Sequence, residues 1–227
     1  MESKIQDKID KFFSKYKSKV YKKGETLILP EEPLVYIFNL KKGFVKSYSL
    51  NEGGFELTIN IYKPYSFFPI TETLAGRTNT YFFEAITDVI VQKAPTHEVH
   101  EFVKENSDVL FDLTKRISSG LEGFMVRTQY LIRSNSSQKV ASSLVLLARR
   151  FGENTDEGKI KIAIPQTHED IANLAGVSRE TASIELKKLR DIKVISEKAK
   201  KYTVNDYDKL QELSTIYHED KPLPFRF

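Results

Sequence analysis

The residues best suited to chemistry lie in the stretch THEDIANLAGVSRETASIELKKL, residues 167–189. Arg179 and Glu180 stand side by side there, directly after Ser178. An arginine can donate two parallel hydrogen bonds to guanine O6 and N7, and a carboxylate can accept one from cytosine N4. The hydroxyls of Thr167, Ser178 and Thr181, with the amides of a helix N-terminus, suit phosphate oxygens. His168, Ser183 and Lys187 extend the same polar set. Downstream, VISEKAKKYTVN (194–205) reads as a hairpin with Lys198, Lys200 and Lys201 around its tip, where they can neutralise backbone phosphates. This is hydrogen-bonding and electrostatic chemistry. Bond-making chemistry has no comparable candidate: the chain has no Cys, four scattered His, and no GxxxxGK[ST], HExxH or GxSxG motif. It is not expected to be an enzyme or to hold a metal.

Two helices must position these groups. Thr167 is the expected N-cap of the first, three residues before Asp170, and Ile171, Ala172 and Leu174 form its inner face. Gly176 supplies the turn. Ser178 caps the second helix, which buries Ala182, Leu186 and Leu189 and leaves Arg179, Glu180, Ser183 and Lys187 outward. This is a helix-turn-helix pattern. A helix pair meeting another protein, within a small-molecule sensor, is the alternative. Formal charges sum to +4 over residues 176–204, which together with the basic hairpin favours DNA.

The rest of the chain must carry this head. Ile5, Ile9, Phe12, Phe13 and Tyr16 predict an amphipathic helix over 4–19. From Val20 to Pro95 short β-type runs follow one another (LVYIFNL, FVKSYSL, FELTINIY, YFFEA, DVIVQKA), with a hairpin turn at Asn51–Gly54, as in an antiparallel sandwich or barrel. Thr96 is the expected cap of a helix with Val99, Phe102 and Val103 inside, and Asn106 or Ser107 the cap of the next. Within that long helix Ile117, Leu121, Phe124, Thr128 and Leu131 are spaced 4, 3, 4, 3, a heptad seam suited to a twin helix in a homodimer. A hinge is expected at Ser134–Ser137, then a helix over 135–151 and a polar loop, GENTDEGK. The tail HEDKPLPFRF carries two prolines and either packs on a neighbour or hangs free.

The 227 residues are 40% hydrophobic and 29% charged, enough to bury a real core in one or two domains. No stretch approaches the roughly 20 apolar residues of a membrane span, so no membrane partner is expected and the location is read as cytoplasmic. The net charge of +4 averages opposed regions: +5 over 1–23, −5 over 24–115 and +5 over 116–150.

This order of parts resembles the Crp/Fnr family of bacterial transcription regulators, most specifically in EDIANLAGVSRETASIELKKL. The resemblance implies an α+β fold. An N-terminal helix and antiparallel β-roll of the double-stranded β-helix (jelly-roll) type, cyclic-nucleotide-binding-like, would occupy 1–107. A dimerisation helix would occupy 108–134, and a winged helix-turn-helix with the tail 135–227. It implies a homodimer on double-stranded, pseudo-palindromic DNA, RNA polymerase as a partner, and a small-molecule effector in the roll or none at all. Arg179 and Glu180 match family residues that contact bases, and Ser178 and Thr181 match positions near the DNA backbone. The chain departs at Ile184, where the family commonly has a base-reading Arg; an isoleucine there suits a thymine methyl instead. The sensory half departs further. Phe68-Pro69-Ile70 and Asn79-Thr80 stand where cyclic-AMP-binding members hold the ribose and phosphate, and Arg77 lies two residues off. Cyclic AMP is therefore disfavoured. An iron–sulfur cluster is disfavoured because Cys is absent. Haem is disfavoured because His97 and His100 fall at a helix start. No cofactor is expected; the effector pocket, if used, is read as Phe68, Asn79, Thr80 and Phe124, and the effector as apolar or aromatic.

Overall fold

The computed structural model describes residues 2–216, with side chains from residue 4 onward; the tail HEDKPLPFRF (218–227) lies outside the described residues. In chain order, α1 (Glu2–Phe13) precedes β1 (Ser18–Tyr21), β2 (Thr26–Ile28), β3 (Tyr36–Lys42), β4 (Val45–Leu50), β5 (Glu56–Tyr62) and β6 (Phe67–Phe68). Then come α2 (Ile70–Leu74), β7 (Phe82–Ala85), β8 (Val89–Pro95), α3 (Thr96–Glu105) and the 27-residue α4 (Ser107–Arg133). The remainder is α5 (Ser136–Phe151), β9 (Gly152–Asn154), β10 (Ile160–Ile162), α6 (His168–Ala175), α7 (Arg179–Asp191), β11 (Ile195–Lys198), β12 (Lys201–Val204) and α8 (Tyr207–Glu212). The chain forms two compact units that divide inside α4, between Ser118 and Ser119.

In the first unit two four-stranded antiparallel sheets, ordered β1-β8-β3-β6 and β2-β7-β4-β5, make the β-roll. Residues that alternate along the strands point to two different cores, the consequence of a period of two. Phe38, Leu40, Val45, Phe68, Phe83, Ala85, Val89 and Val91 fill the space between the sheets. Ile37, Phe67 and Ala94 face the other way, onto Ile9 and Phe13 of α1, Val99 and Val103 of α3, and Val109 and Leu113 of α4. The Asn51–Gly54 turn joins β4 to β5 as expected: Gly54 takes φ +75°, its N–H donates to Asn51 O, and the Asn51 side chain accepts from Phe55 N at 2.9 Å. The helix expected over 4–19 ends at Phe13. Pairing of Ser18–Tyr21 with Val89–Gln92 outcompetes the local helical period, although Tyr16 still packs on the α1 core. Thr96 is the first residue of α3 and not its cap; its hydroxyl donates to Leu34 O at 2.6 Å.

In the second unit the break after α4 is short. Asn135 caps α5 through a reciprocal box with Gln138, and Val140, Leu144, Leu147 and Ala148 are buried. GENTDEGK is not an open loop. It belongs to a hairpin, β9–β10, which extends the wing into a sheet ordered β11-β12-β10-β9. All three residues of β9 are exposed, so this strand is specified by its partner and carries no apolar alternation of its own.

Candidate nucleic-acid interface

The two helices are capped as their sequence dictates. Thr167 accepts from Asp170 N while Asp170 accepts from Thr167 N at 2.7 Å, a full capping box. Gly176 adopts the left-handed conformation (φ 61°) that lets the chain turn, and Val177 N donates back to Ala172 O at 3.1 Å. Ser178 Oγ then accepts from Thr181 N, also at 3.1 Å. Ala182, Leu186 and Leu189 are buried against the unit, which turns the opposite side of α7 outward.

That outward side carries Ser178, Arg179, Glu180, Ile184, Lys187 and Lys188, all exposed. Arg179 lies 4.0 Å from Glu169 with both side chains well exposed, a pair weak enough to exchange for a base edge. Ile184 is 55% exposed one turn beyond Glu180, an apolar group in a polar face. Beside α7 the β11–β12 hairpin closes through Ala199 and Lys200, both at positive φ, and sets Lys198, Lys200 and Lys201 in solvent at its tip. Lys200 O accepts from Gln166 N at 2.7 Å, tying the wing tip to the approach to α6.

Four residues of the expected set are placed differently. His168 and Ser183 are half-buried and bonded to each other, Nδ1 to Oγ at 2.8 Å, instead of standing free. Thr167 and Thr181 are half-buried, their hydroxyls engaged with Asp170 and Ser178.

The seam on α4 is divided between two tasks. Ile117 packs onto the first unit's core, and Leu131 comes within reach of Gly176 at the helix-turn-helix bend. Arg127 donates to Leu174 O at 3.0 Å, fixing the end of α6 to α4. Leu121 and Phe124 remain exposed and Thr128 half-exposed, and with them Met125 and Ile132, which the 4-3-4-3 spacing missed. Met125 and Ile132 are seven residues apart, a second heptad register beside the first, and that spacing was the available signal.

A cyclic nucleotide-binding domain model matches residues 18–106, and a Crp-like helix-turn-helix domain model matches residues 138–213. The global nitrogen regulator of Nostoc sp. is 29% identical over 187 residues, covering 82% of this chain and 83% of its own. The transcriptional regulator SdrP of Thermus thermophilus is 29% identical over 196 residues, covering 85% and 88%. FixK2 from Bradyrhizobium japonicum superposes with a TM-score of 0.77 at 21% identity, covering 89% of this chain and 99% of that one. A CRP/FNR-family regulator from Thermus thermophilus superposes with a TM-score of 0.68 at 26% identity, covering 87% and 97%. The chain belongs to the Crp/Fnr family.

In this Crp/Fnr transcription regulator the roll matched by the cyclic nucleotide-binding model has an aromatic interior. Phe68 is wholly buried and stacks on Phe38 (5.4 Å between centroids) and Phe83 (5.6 Å), with Tyr62 tilted against it at 5.0 Å. Asn79 is also wholly buried; its amide donates to Leu29 O and Tyr81 O and accepts from Tyr81 N. Thr80 and Arg77 are exposed. His97 is exposed, whereas His100 bonds Thr73 Oγ1 at 3.2 Å; burial, then the charge of Lys104, hold the ring below the usual histidine range. On α2, burial pushes the Glu72 carboxyl up against smaller opposing hydrogen bonds from its own backbone and Thr71, and its Oε2 is buried with no partner. Among the described residues no cluster of His, Asp and Glu could hold a metal, and no helix is long and apolar enough to cross a membrane.

Proposed function

We propose that this Crp/Fnr regulator acts without catalysis as a homodimer joined along α4, placing two α7 helices in successive major grooves of a pseudo-palindromic site. The observation that carries this reading is the outward face of α7, where Arg179, Glu180 and Ile184 are exposed at a capped helix start beside a lysine-tipped wing. Arg179 donates to a guanine, Glu180 accepts from a cytosine, and Ile184 covers a thymine methyl. Ser178 and the α7 amides hold one phosphate, Thr167 and Thr181 lie against the same strand, and Lys187, Lys200 and Lys201 neutralise others. RNA polymerase is the partner at the promoter.

We propose further that the roll takes no cyclic nucleotide. The aromatic stack around Phe68 fills the space between the sheets, and the Asn79 amide is consumed by backbone. No side chain at Phe68–Ile70 or Asn79–Thr80 brings a cation for a cyclic phosphate. On this proposal the regulator answers to an apolar or aromatic effector, or to none.

Replacing single thymines of the selected operator by uracil tests the α7 assignment, since uracil keeps every hydrogen bond and loses only the methyl. One thymine per half-site is expected to matter to the wild type and not to Ile184→Ala. A loss that persists in Ile184→Ala, or no loss at any thymine, overturns the role of Ile184.

A further inference from the structure

His168 opens α6, and its ring lies among three elements. Nδ1 is 2.8 Å from Ser183 Oγ on α7, and Nε2 is 3.4 Å from Glu197 Oε2 on β11. The same Glu197 oxygen accepts from Arg190 of α7. One ring nitrogen faces the serine hydroxyl and the other the carboxylate, with the donor and acceptor roles following from the tautomer. Both ring nitrogens are then used inside the protein, and none is left to donate to a phosphate. All three side chains in the chain Ser183–His168–Glu197 are half-buried, where such bonds persist better than on an open surface.

The geometry matters because of what lies at each end. Ser183 precedes Ile184 on the groove-facing side of α7, and Glu197 precedes Lys198 at the root of the wing tip. Lys200 O holds Gln166 N, two residues before His168, so the approach to α6 is tied to the wing as well. We infer that His168 is a positioning residue: it links the recognition helix to the wing and so sets how base-reading and phosphate-holding groups meet one duplex. A link of this kind affects sequence selectivity, since groups displaced by a fraction of an ångström lose bidentate geometry while retaining charge attraction.

The test uses full-length protein and the operator that wild type selects from a random pool, titrated against that operator and against random DNA at several salt concentrations. His168→Ala and Ser183→Ala are each expected to weaken operator binding about ten-fold and random DNA less than about two-fold, with the salt slope unchanged. The double variant should fall within about two-fold of the worse single variant, because both remove one link. His168→Gln, which keeps a donor and an acceptor, should recover part of the loss. Should His168→Ala fail to fold, Ser183→Ala, which removes only a hydroxyl, carries the measurement. Equal losses on operator and random DNA, with the slope falling by about 0.9 per lost contact, would mean a direct phosphate contact and overturn the link. Wild-type selectivity in both variants would overturn it too. The inference rests on α7 as the groove-entering helix; a wild type that selects no sequence defeats that reading, whereas a selective wild type with equally selective variants defeats only the link.

Discussion

On the proposal that two copies join along α4, Phe124→Ala perturbs the face between them. Phe124 is 54% exposed in the single chain. Burying a whole phenylalanine contributes roughly 3 kcal/mol, so covering the exposed part contributes about 1.6 kcal/mol, of which alanine keeps a small share. A two-fold interface contains the residue twice, giving a loss of about 2–3 kcal/mol per dimer. That corresponds to a dimer dissociation constant about 30- to 150-fold weaker. Because the ring is exposed in the protomer, the fold should persist, and circular dichroism should show the same helix content. Sedimentation equilibrium over a dilution series reads the constant directly, and operator binding should weaken with it. An unchanged dissociation constant in Phe124→Ala, with wild type dimeric over the same range, would refute the assignment of this face.

Arg179→Ala should cost about 1–3 kcal/mol on the operator and relax selectivity at one base pair, whereas Lys200→Ala should weaken operator and random DNA alike and flatten the salt dependence. Fluorescence anisotropy on both DNAs separates the two, and equal loss on both for Arg179→Ala would remove it from base reading. Isothermal calorimetry with cyclic AMP should give no binding heat; saturable heat at one site per protomer would contradict the filled roll. Because the folded-state pKa of Glu72 is raised above its unfolded value, the folded protein binds that proton more tightly, and stability falls as pH rises from the ordinary carboxylate range through the raised value. Glu72→Gln should therefore raise the melting temperature at pH 7 by about 2 °C and lose that advantage near pH 4, and a constant difference across this range would refute the assigned cause.

The parts of the head were legible because their signals are local. Thr167, Gly176 and Ser178 are each chosen by the backbone they cap or turn, and the apolar faces of α6 and α7 repeat within one window. The end of α1 was not legible, since Ser18–Tyr21 becomes a strand only by pairing with β8, some 70 residues away. The hairpin β9–β10 escaped for the same reason: exposed Gly152–Asn154 has no strand pattern of its own. On α4 the heptad marked apolar positions without saying which neighbour each one meets: Ile117 packs on the first unit's core, Leu131 lies near Gly176, and Phe124 stays exposed. His168 and Ser183 read as exposed polar residues because their fifteen-residue separation hides a direct bond.

Selection of bound duplex from a random pool by the purified full-length protein, followed by sequencing, tests the central claim most directly. Two inverted half-sites should emerge with centres about one helical turn apart, each containing a guanine, a cytosine and a thymine within one recognition-helix footprint. A pool that enriches no motif, or only a single unpaired half-site, would contradict a dimer reading DNA through α7.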